Sequence, residues 1–149
     1  NNLGYDVYVI DANAEIKSGL LKTAIPSNAI DKTGYDSLLD RAKLLSGADF
    51  FIGLSSGLSW LAWCCNIPVI LISGFTNPIT EFKTPYRIIN QYVCNSCWND
   101  FNVEWNISET VCPKKNNPLN DEYLECSTSI NYYSVINTID KVRTDYDYK

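Results

Sequence analysis

The alternation of hydrophobic and polar positions divides the first half of the chain into strands and helices. Residues 5–10 are rich in β-branched and aromatic side chains and predict a strand, as do the apolar runs at 50–54 and 69–72. A helix is predicted between the first two runs, because its apolar positions recur three or four residues apart: Tyr35, Leu38, Leu39, Ala42 and Leu45. Gly47 follows as a plausible helix end.

A second helix is predicted between the strands at 50–54 and 69–72. Ser55 or Ser56 can cap it, and its apolar positions are Leu58, Leu61, Ala62 and Cys65. The order strand, helix, strand, helix, strand predicts a right-handed parallel α/β sheet with flanking helices.

The remaining segments carry weaker patterns. Residues 11–33 are predicted as a loop, residues 87–93 as a further strand, and residues 132–142 as a helix. Residues 94–126 are rich in loop-forming side chains. We interpret the whole chain, 1–149, as one domain that contains 94–126 as a distinct segment.

Residues 50–80 carry no charged side chain, a stretch long enough to suggest a membrane span. Ser55-Ser56-Gly57 and Asn66-Ile67-Pro68 interrupt it, so two buried strands flanking a helix fit better than one membrane helix. We therefore expect no membrane span.

Composition narrows the classes of function. The chain has 149 residues and a net charge of −5, which argues against nucleic-acid binding. It contains no histidine, so imidazole catalysis and imidazole metal ligation within this chain are excluded. Because the chain begins with Asn1 rather than Met, we expect it to be a fragment lacking amino-terminal sequence.

The turn between the second strand and the second helix is the first candidate site. Ser55, Ser56 and Gly57 carry small side chains, and Leu58 and Ser59 continue into the helix. Free backbone N–H groups and the positive dipole end at a helix N-terminus favour a phosphate. The alternative is an ordinary strand–helix turn capped by serine.

Two further segments carry polar side chains at strand ends. Asp11 follows the first strand, where an acid can bind ribose hydroxyls in nucleotide-binding folds; a solvated loop aspartate is the alternative. After the third strand, the residues that can line a cleft at the same end of the sheet as the serine turn are Thr76, Asn77, Glu81 and Arg87.

The cysteines form two groups. Cys64 and Cys65 lie in the apolar helix and are predicted to be small core residues. The other four, spaced C-x2-C-x14-C-x13-C, are Cys94, Cys97, Cys112 and Cys126. Four thiolates can close a tetrahedral site for iron or zinc, with no open position for catalysis. Thioredoxin-like redox chemistry and a disulfide framework are the alternatives.

Four segments together resemble the bacterial autotransporter heptosyltransferases, in order along essentially the whole chain. They are FFIGLSSGLSWLAW (50–63), ISGFTNP (72–78), EFKTPYR (81–87) and CNSCWND (94–100). These enzymes are related to the lipopolysaccharide heptosyltransferases and have the GT-B architecture of two Rossmann-like domains. The chain resembles only the carboxyl-terminal, donor-binding half.

The resemblance implies transfer of heptose from ADP-heptose to serine hydroxyls of an autotransporter adhesin in the cytoplasm. It implies donor contacts at the serine turn, and one iron ion per chain, with zinc as the alternative, held by the four cysteines of 94–126. The iron-binding set is expected to support a large homo-oligomer.

The resemblance also implies that the catalytic aspartate lies in the absent amino-terminal domain, so no catalytic residue is expected in this chain. The isolated chain is therefore predicted to be inactive. Two other functions stay open: a metal-stapled α/β binding or assembly module without catalysis, and a GT-B transferase that uses another nucleotide sugar.

Overall fold

The computed structural model describes residues 3–18, 21–103, 112–113 and 124–147. The strands are β1 (Tyr8–Val9), β2 (Glu15–Ser18), β3 (Leu21–Ala24), β4 (Ile30–Asp31), β5 (Phe51–Leu54), β6 (Val69–Ile72) and β7 (Arg87–Ile88). The helices are α1 (Leu38–Leu45), α2 (Gly57–Cys64), α3 (Glu125–Thr128) and α4 (Tyr132–Asp145), with 3-10 turns at Pro78–Thr80 and Cys97–Asn99.

The chain divides into two compact units. Of the described residues, the first unit contains those up to Arg41 and the second contains those from Ala42 onward. The expectation of one domain over 1–149 stays a prediction, and much of the segment 94–126 lies outside the described residues.

In the first unit, β1 pairs in parallel with β4, and β2 pairs antiparallel with β3. The prediction of a loop over 11–33 is therefore wrong. Glu15 lies opposite Ala24 and Ser18 opposite Leu21, so the segment contains a hairpin. The sequences of β2 and β3, EIKS and LKTA, mix charged and apolar residues and have little strand propensity of their own. The pairing of the two segments with each other therefore stabilises them as strands.

In the second unit, β5, β6 and β7 form a parallel sheet with β6 in the centre. Val69, Ile70 and Leu71 are all buried, and since successive strand side chains point to opposite faces, both faces of β6 are covered. Helix α2 packs on β5 and β6, and α4 packs on β6 and β7. The predicted parallel sheet with flanking helices is confirmed, but the strand expected at 5–10 forms only over Tyr8–Val9 and pairs with β4 rather than with β5 or β6.

Three details differ from the prediction. The expected strand 87–93 forms only over Arg87–Ile88, and helix α4 extends to Asp145. Cys64 is exposed and Cys65 is half-buried, so the prediction of two core cysteines is wrong; in α2 the fully buried residues are Ser59 and Ala62. No helix within the described ranges is long and apolar enough to span a membrane.

Candidate functional site at the carboxyl end of the sheet

Parallel pairing in the second unit places two polar segments side by side. Leu54, the last residue of β5, lies opposite Ile72, the last residue of β6. Neighbouring strands are about 4.8 Å apart, so the serine turn (residues 55–57) and the β6 loop (residues 73–77) both start at the carboxyl end of this sheet. Open parallel sheets bind ligands at this end of their strands.

The serine turn leaves the N-terminus of α2 open. Ser56 is the N-cap, with φ −144° and ψ 171°, but its side chain makes no capping hydrogen bond. Ser56 and Gly57 are both exposed, and a Cβ added at Gly57 would have nothing within 4 Å. The first backbone N–H groups of this eight-residue helix are therefore accessible to an anion, which the helix dipole also favours.

Ser59 does not face this opening. It is completely buried, and its hydroxyl donates to the Leu54 carbonyl oxygen. Gly53 allows this approach, because a Cβ at that position would lie 3.0 Å from the Ser59 Oγ and 2.5 Å from the Phe51 ring. Ser59 thus joins α2 to β5, whereas its half-buried neighbour Leu58 lies beside the turn.

The β6 loop is organised by a buried ion pair that the sequence did not identify as such. Glu81 pairs with Arg87, and the exposed fractions of their side chains are 1% and 17%. The Thr76 hydroxyl donates to one Glu81 carboxylate oxygen, and the Ser73 hydroxyl donates to the other at 2.9 Å. Glu81 and Arg87 therefore lie behind the loop rather than lining an open cleft as expected.

Asn77 closes the β6 loop. Its Oδ1 accepts a hydrogen bond from the Ile79 N–H at 3.0 Å, which caps the turn at Pro78–Thr80. Its own N–H donates to the Asn99 Oδ1 at 2.6 Å. The Asn77 side-chain carbonyl is thus committed to the chain, and its Nδ2 group remains the polar group suited to a ligand.

An aromatic cluster on α2 was also missed by the sequence reasoning. The Trp60 and Trp63 rings are 5.9 Å apart, and each contacts the buried Phe82 ring, at 5.1 Å and 5.7 Å. Both tryptophans are about two-fifths exposed or more. Their i, i+3 spacing was a signal, because it places them on one face of the helix.

Asp11 lies in the first unit. Its side chain is exposed, and its Oδ1 accepts a hydrogen bond from the Ala12 N–H at 2.6 Å. Its carbonyl oxygen accepts from the Gly34 N–H and from the buried Arg41 guanidinium. The carboxylate is thus available to solvent at the end of β1.

A separate depression of about 440 Å³ lies on α4. Its lining residues are Asp140, Arg143, Thr144 and Asp147. The Tyr86 hydroxyl, just before β7, donates to Asp145 at 2.9 Å, so this end of α4 lies near the amino ends of the strands. The depression is therefore at the opposite end of the sheet from the serine turn.

The four spaced cysteines act on one another electrostatically. The pKa of Cys97 is raised to about 11, first by burial and then by the neighbouring thiolates of Cys126, Cys112 and Cys94. Burial likewise raises the pKa of Cys126, against a lowering hydrogen bond from Ser127. All four are free thiols, so the disulfide alternative receives no support.

These thiols do not form a closed coordination site. Within the described part of the chain, no group of three or more His, Cys, Asp or Glu side chains is arranged to hold a metal ion. The Cys94 thiol instead faces the Glu125 carboxylate at 3.9 Å. The donor set still suits iron or zinc, because both ions accept four thiolate ligands and a bound cation would offset the charges that raise the pKa of Cys97 and of Cys126.

The cysteine loop (residues 94–99) is bonded to the β6 loop. The Ser96 N–H donates to the Gly74 carbonyl at 2.6 Å, and the Trp98 N–H donates to the Phe75 carbonyl at 3.1 Å. Gly74 has φ +151°, and a Cβ there would lie 2.8 Å from the Cys126 Cβ. The cysteine loop and Cys126 thus pack against the β6 loop.

Known proteins to which this chain is similar include autotransporter heptosyltransferases. No protein-family model matches the chain. The autotransporter heptosyltransferase Aah of Escherichia coli is 43% identical over 149 residues, which cover 97% of this chain and 38% of Aah. The inactive autotransporter heptosyltransferase BimC of Burkholderia thailandensis is 41% identical over 142 residues, covering 91% of this chain and 32% of BimC.

A solved structure matches as well. The iron-containing, dodecameric glycosyltransferase TibC of enterotoxigenic E. coli H10407 superposes with a TM-score of 0.88 at 42% identity, over 97% of this chain and 38% of TibC. TibC has also been solved in complex with ADP-D-beta-D-heptose. The chain thus spans about a third to two-fifths of the length of these relatives.

Proposed function

This chain belongs to the autotransporter heptosyltransferase family, and on that premise we propose that it supplies the part of such an enzyme that binds ADP-heptose. The observation that carries the proposal is the open N-terminus of α2 beside the β6 loop, at the carboxyl end of a parallel sheet. TibC, whose structure was solved with ADP-heptose, supports the choice of ligand.

The diphosphate is assigned to the serine turn. There the backbone N–H groups at Ser56 and Gly57 would donate to phosphate oxygens, while the small side chains leave room for close approach. The Ser55 and Ser56 hydroxyls and the Asn77 Nδ2 supply further donors. Leu58 borders the turn.

The proposed reaction is glycosyl transfer. A serine oxygen of an autotransporter adhesin forms a bond to heptose C1, the bond between C1 and the phosphate oxygen breaks, and ADP leaves. The helix N-terminus stabilises the charge that develops on the departing diphosphate. The group that takes the serine proton is expected outside this chain, so the chain alone is expected not to catalyse transfer.

A structural iron ion is proposed for Cys94, Cys97, Cys112 and Cys126, one ion per chain, with zinc as the alternative. The support is the effect of the other three thiolates on the pKa of Cys97, together with the iron content of TibC. Four thiolates would leave no open coordination position, so the ion would order the cysteine loop and support a large homo-oligomer without touching the donor. We place the protein in the cytoplasm.

One observation favours a second candidate, a non-catalytic module. BimC is inactive yet 41% identical to this chain, so similarity at this level does not separate active from inactive members. A transferase for another nucleotide sugar is the third candidate. Titration with ADP, UDP and GDP separates these three, since the family donor requires a preference for ADP and a non-catalytic module requires none.

Calorimetry with ADP tests the site itself. We expect the wild-type chain to bind ADP and Ser56→Trp to weaken binding by about tenfold or more, because an indole at the N-cap would cover the N–H groups. Ser46→Trp, at an exposed serine just beyond the carboxyl end of α1, is the matched control and should bind as wild type. Equal affinities in all three proteins contradict the assignment.

A further inference from the structure

A buried carboxylate lies behind the β6 loop, where the proposed donor site has no evident need of one. The Glu81 side chain is 1% exposed and is paired with Arg87. Arg87 also donates to the Ser73 hydroxyl at 2.7 Å and to the Phe82 carbonyl at 3.1 Å. Removing such a pair from water costs free energy that its attraction often does no more than offset, so the pair is not explained by stabilisation of the fold alone. A role in positioning the neighbouring loop is the alternative.

Both hydroxyl groups of the β6 loop donate their hydrogen bonds to the Glu81 carboxylate. Thr76 donates to one carboxylate oxygen and Ser73 to the other, and each hydroxyl has a single proton. Thr76 is also 8% exposed. It therefore cannot donate to a phosphate while this network stands, which removes it as the direct ligand that its sequence position predicted.

The same bonds tie both ends of the loop to one group. Ser73 begins the loop, Thr76 lies three residues later, and the carboxylate that joins them follows at Glu81. A charged acceptor makes each of these hydrogen bonds stronger than a neutral one. The loop is thus held in one conformation before any ligand arrives.

We propose that Glu81 is a positioning residue, which fixes the β6 loop beside the N-terminus of α2 so that a nucleoside diphosphate meets a preformed surface. The identity of the ligand rests on the proposed function; the positioning of the loop does not. Preorganisation of this kind raises affinity by removing the entropy cost of ordering the loop on binding.

The test uses Thr76→Val, which keeps the shape of the side chain and removes its bond to Glu81. Amide hydrogen exchange is measured on the ligand-free chain, and ADP affinity is measured by calorimetry. We expect exchange at residues 74–77 to accelerate about tenfold and the Kd for ADP to rise about tenfold. Thr76→Ser, which restores the hydroxyl, should return both values to near wild type.

Thr84→Val is the matched control. The Thr84 hydroxyl donates to the carbonyl of Val69 at 2.8 Å, at the amino end of β6, so its loss should leave exchange at 74–77 and ADP affinity unchanged. Glu81→Gln is the second variant and should reproduce Thr76→Val; if it fails to fold, Thr76→Val alone decides.

The outcomes separate the two proposals. Unchanged exchange at 74–77 in Thr76→Val overturns the positioning role, whether or not ADP binds. Weaker ADP binding without faster exchange also overturns it, because that result makes Thr76 a direct ligand. A wild-type chain that does not bind ADP overturns the proposed function, while the exchange data still decide the role of Glu81.

Discussion

At the scale of single residues, two hydroxyl groups near the candidate phosphate site make hydrogen bonds within the fold. Ser59 and Thr76 stand in the right segments for a phosphate site, but both hydroxyls are committed inside the fold, to the Leu54 carbonyl and to Glu81. Spacing along the chain indicates which segments meet at the end of a sheet. It does not indicate which neighbour will take a hydroxyl proton, because that depends on packing between segments.

Arg41 shows the same limit in the first unit. It lies on α1, is 5% exposed, and donates to the carbonyls of Lys32 and Gly34 at 2.6 Å each. An arginine in an amphipathic pattern predicts a solvated position, whereas here backbone carbonyls from the preceding loop satisfy its guanidinium.

We expect Arg41→Ala to lower the free energy of unfolding by about 2–3 kcal/mol, because it removes buried charge-assisted hydrogen bonds. Arg143→Ala is the control: its pair with Asp140 at 3.6 Å is largely exposed, so the loss should be about 0.5 kcal/mol or less. Urea denaturation measures both. Equal losses would show that Arg41 contributes no more than a surface charge.

At the scale of elements, the parallel sheet was predictable and the buried faces of the helices were only partly so. Runs such as 69–72 are long enough and apolar enough to be buried strands, and β6 is buried on both faces. The predicted apolar face of α1 is buried only at its carboxyl end, where Leu45 is 3% exposed. Tyr35 precedes the helix, and the exposed fractions of Tyr35, Leu38 and Leu39 are 88%, 72% and 65%. The spacing of apolar residues predicts that a helix has an apolar face, but it does not predict which surface packs against that face.

For the cysteine loop, the spacing of the cysteines predicted which thiols interact but not how the loop is attached to the rest of the fold. Spacing alone grouped Cys94, Cys97, Cys112 and Cys126, and the thiolates of the other three do raise the pKa of Cys97. Spacing could not reveal that residues 96 and 98 bond the β6 loop, since backbone hydrogen bonds leave no signature in side-chain identity.

For the metal we expect Cys97→Ser to lose bound iron or zinc and to weaken oligomerisation, because one of four ligands is removed. Cys65→Ser, at the residue just after α2, should keep both properties. Elemental analysis and light scattering on the purified proteins measure them. Equal metal content in the two variants would refute the ligand set.

At the scale of the whole molecule, the fold is similar to that of TibC, whereas the chemistry is a proposal. The aligned region covers 97% of this chain but only 38% of Aah and 38% of TibC. The acceptor, the assembly and the transfer step are therefore proposals that reach beyond the matched segment. The part of the proposed site that this chain contains is the carboxyl end of the sheet β5–β6–β7, where the serine turn and the β6 loop lie side by side.

The most direct test of that central claim is a titration of the isotope-labelled chain with ADP, followed by the backbone amide resonances in NMR spectra. We predict the largest shifts at Ser56, Gly57 and residues 74–77, with residues 140–147, at the carboxyl end of α4 and just beyond it, unchanged. Shifts concentrated in 140–147, or no shifts at saturating ADP, would contradict the account.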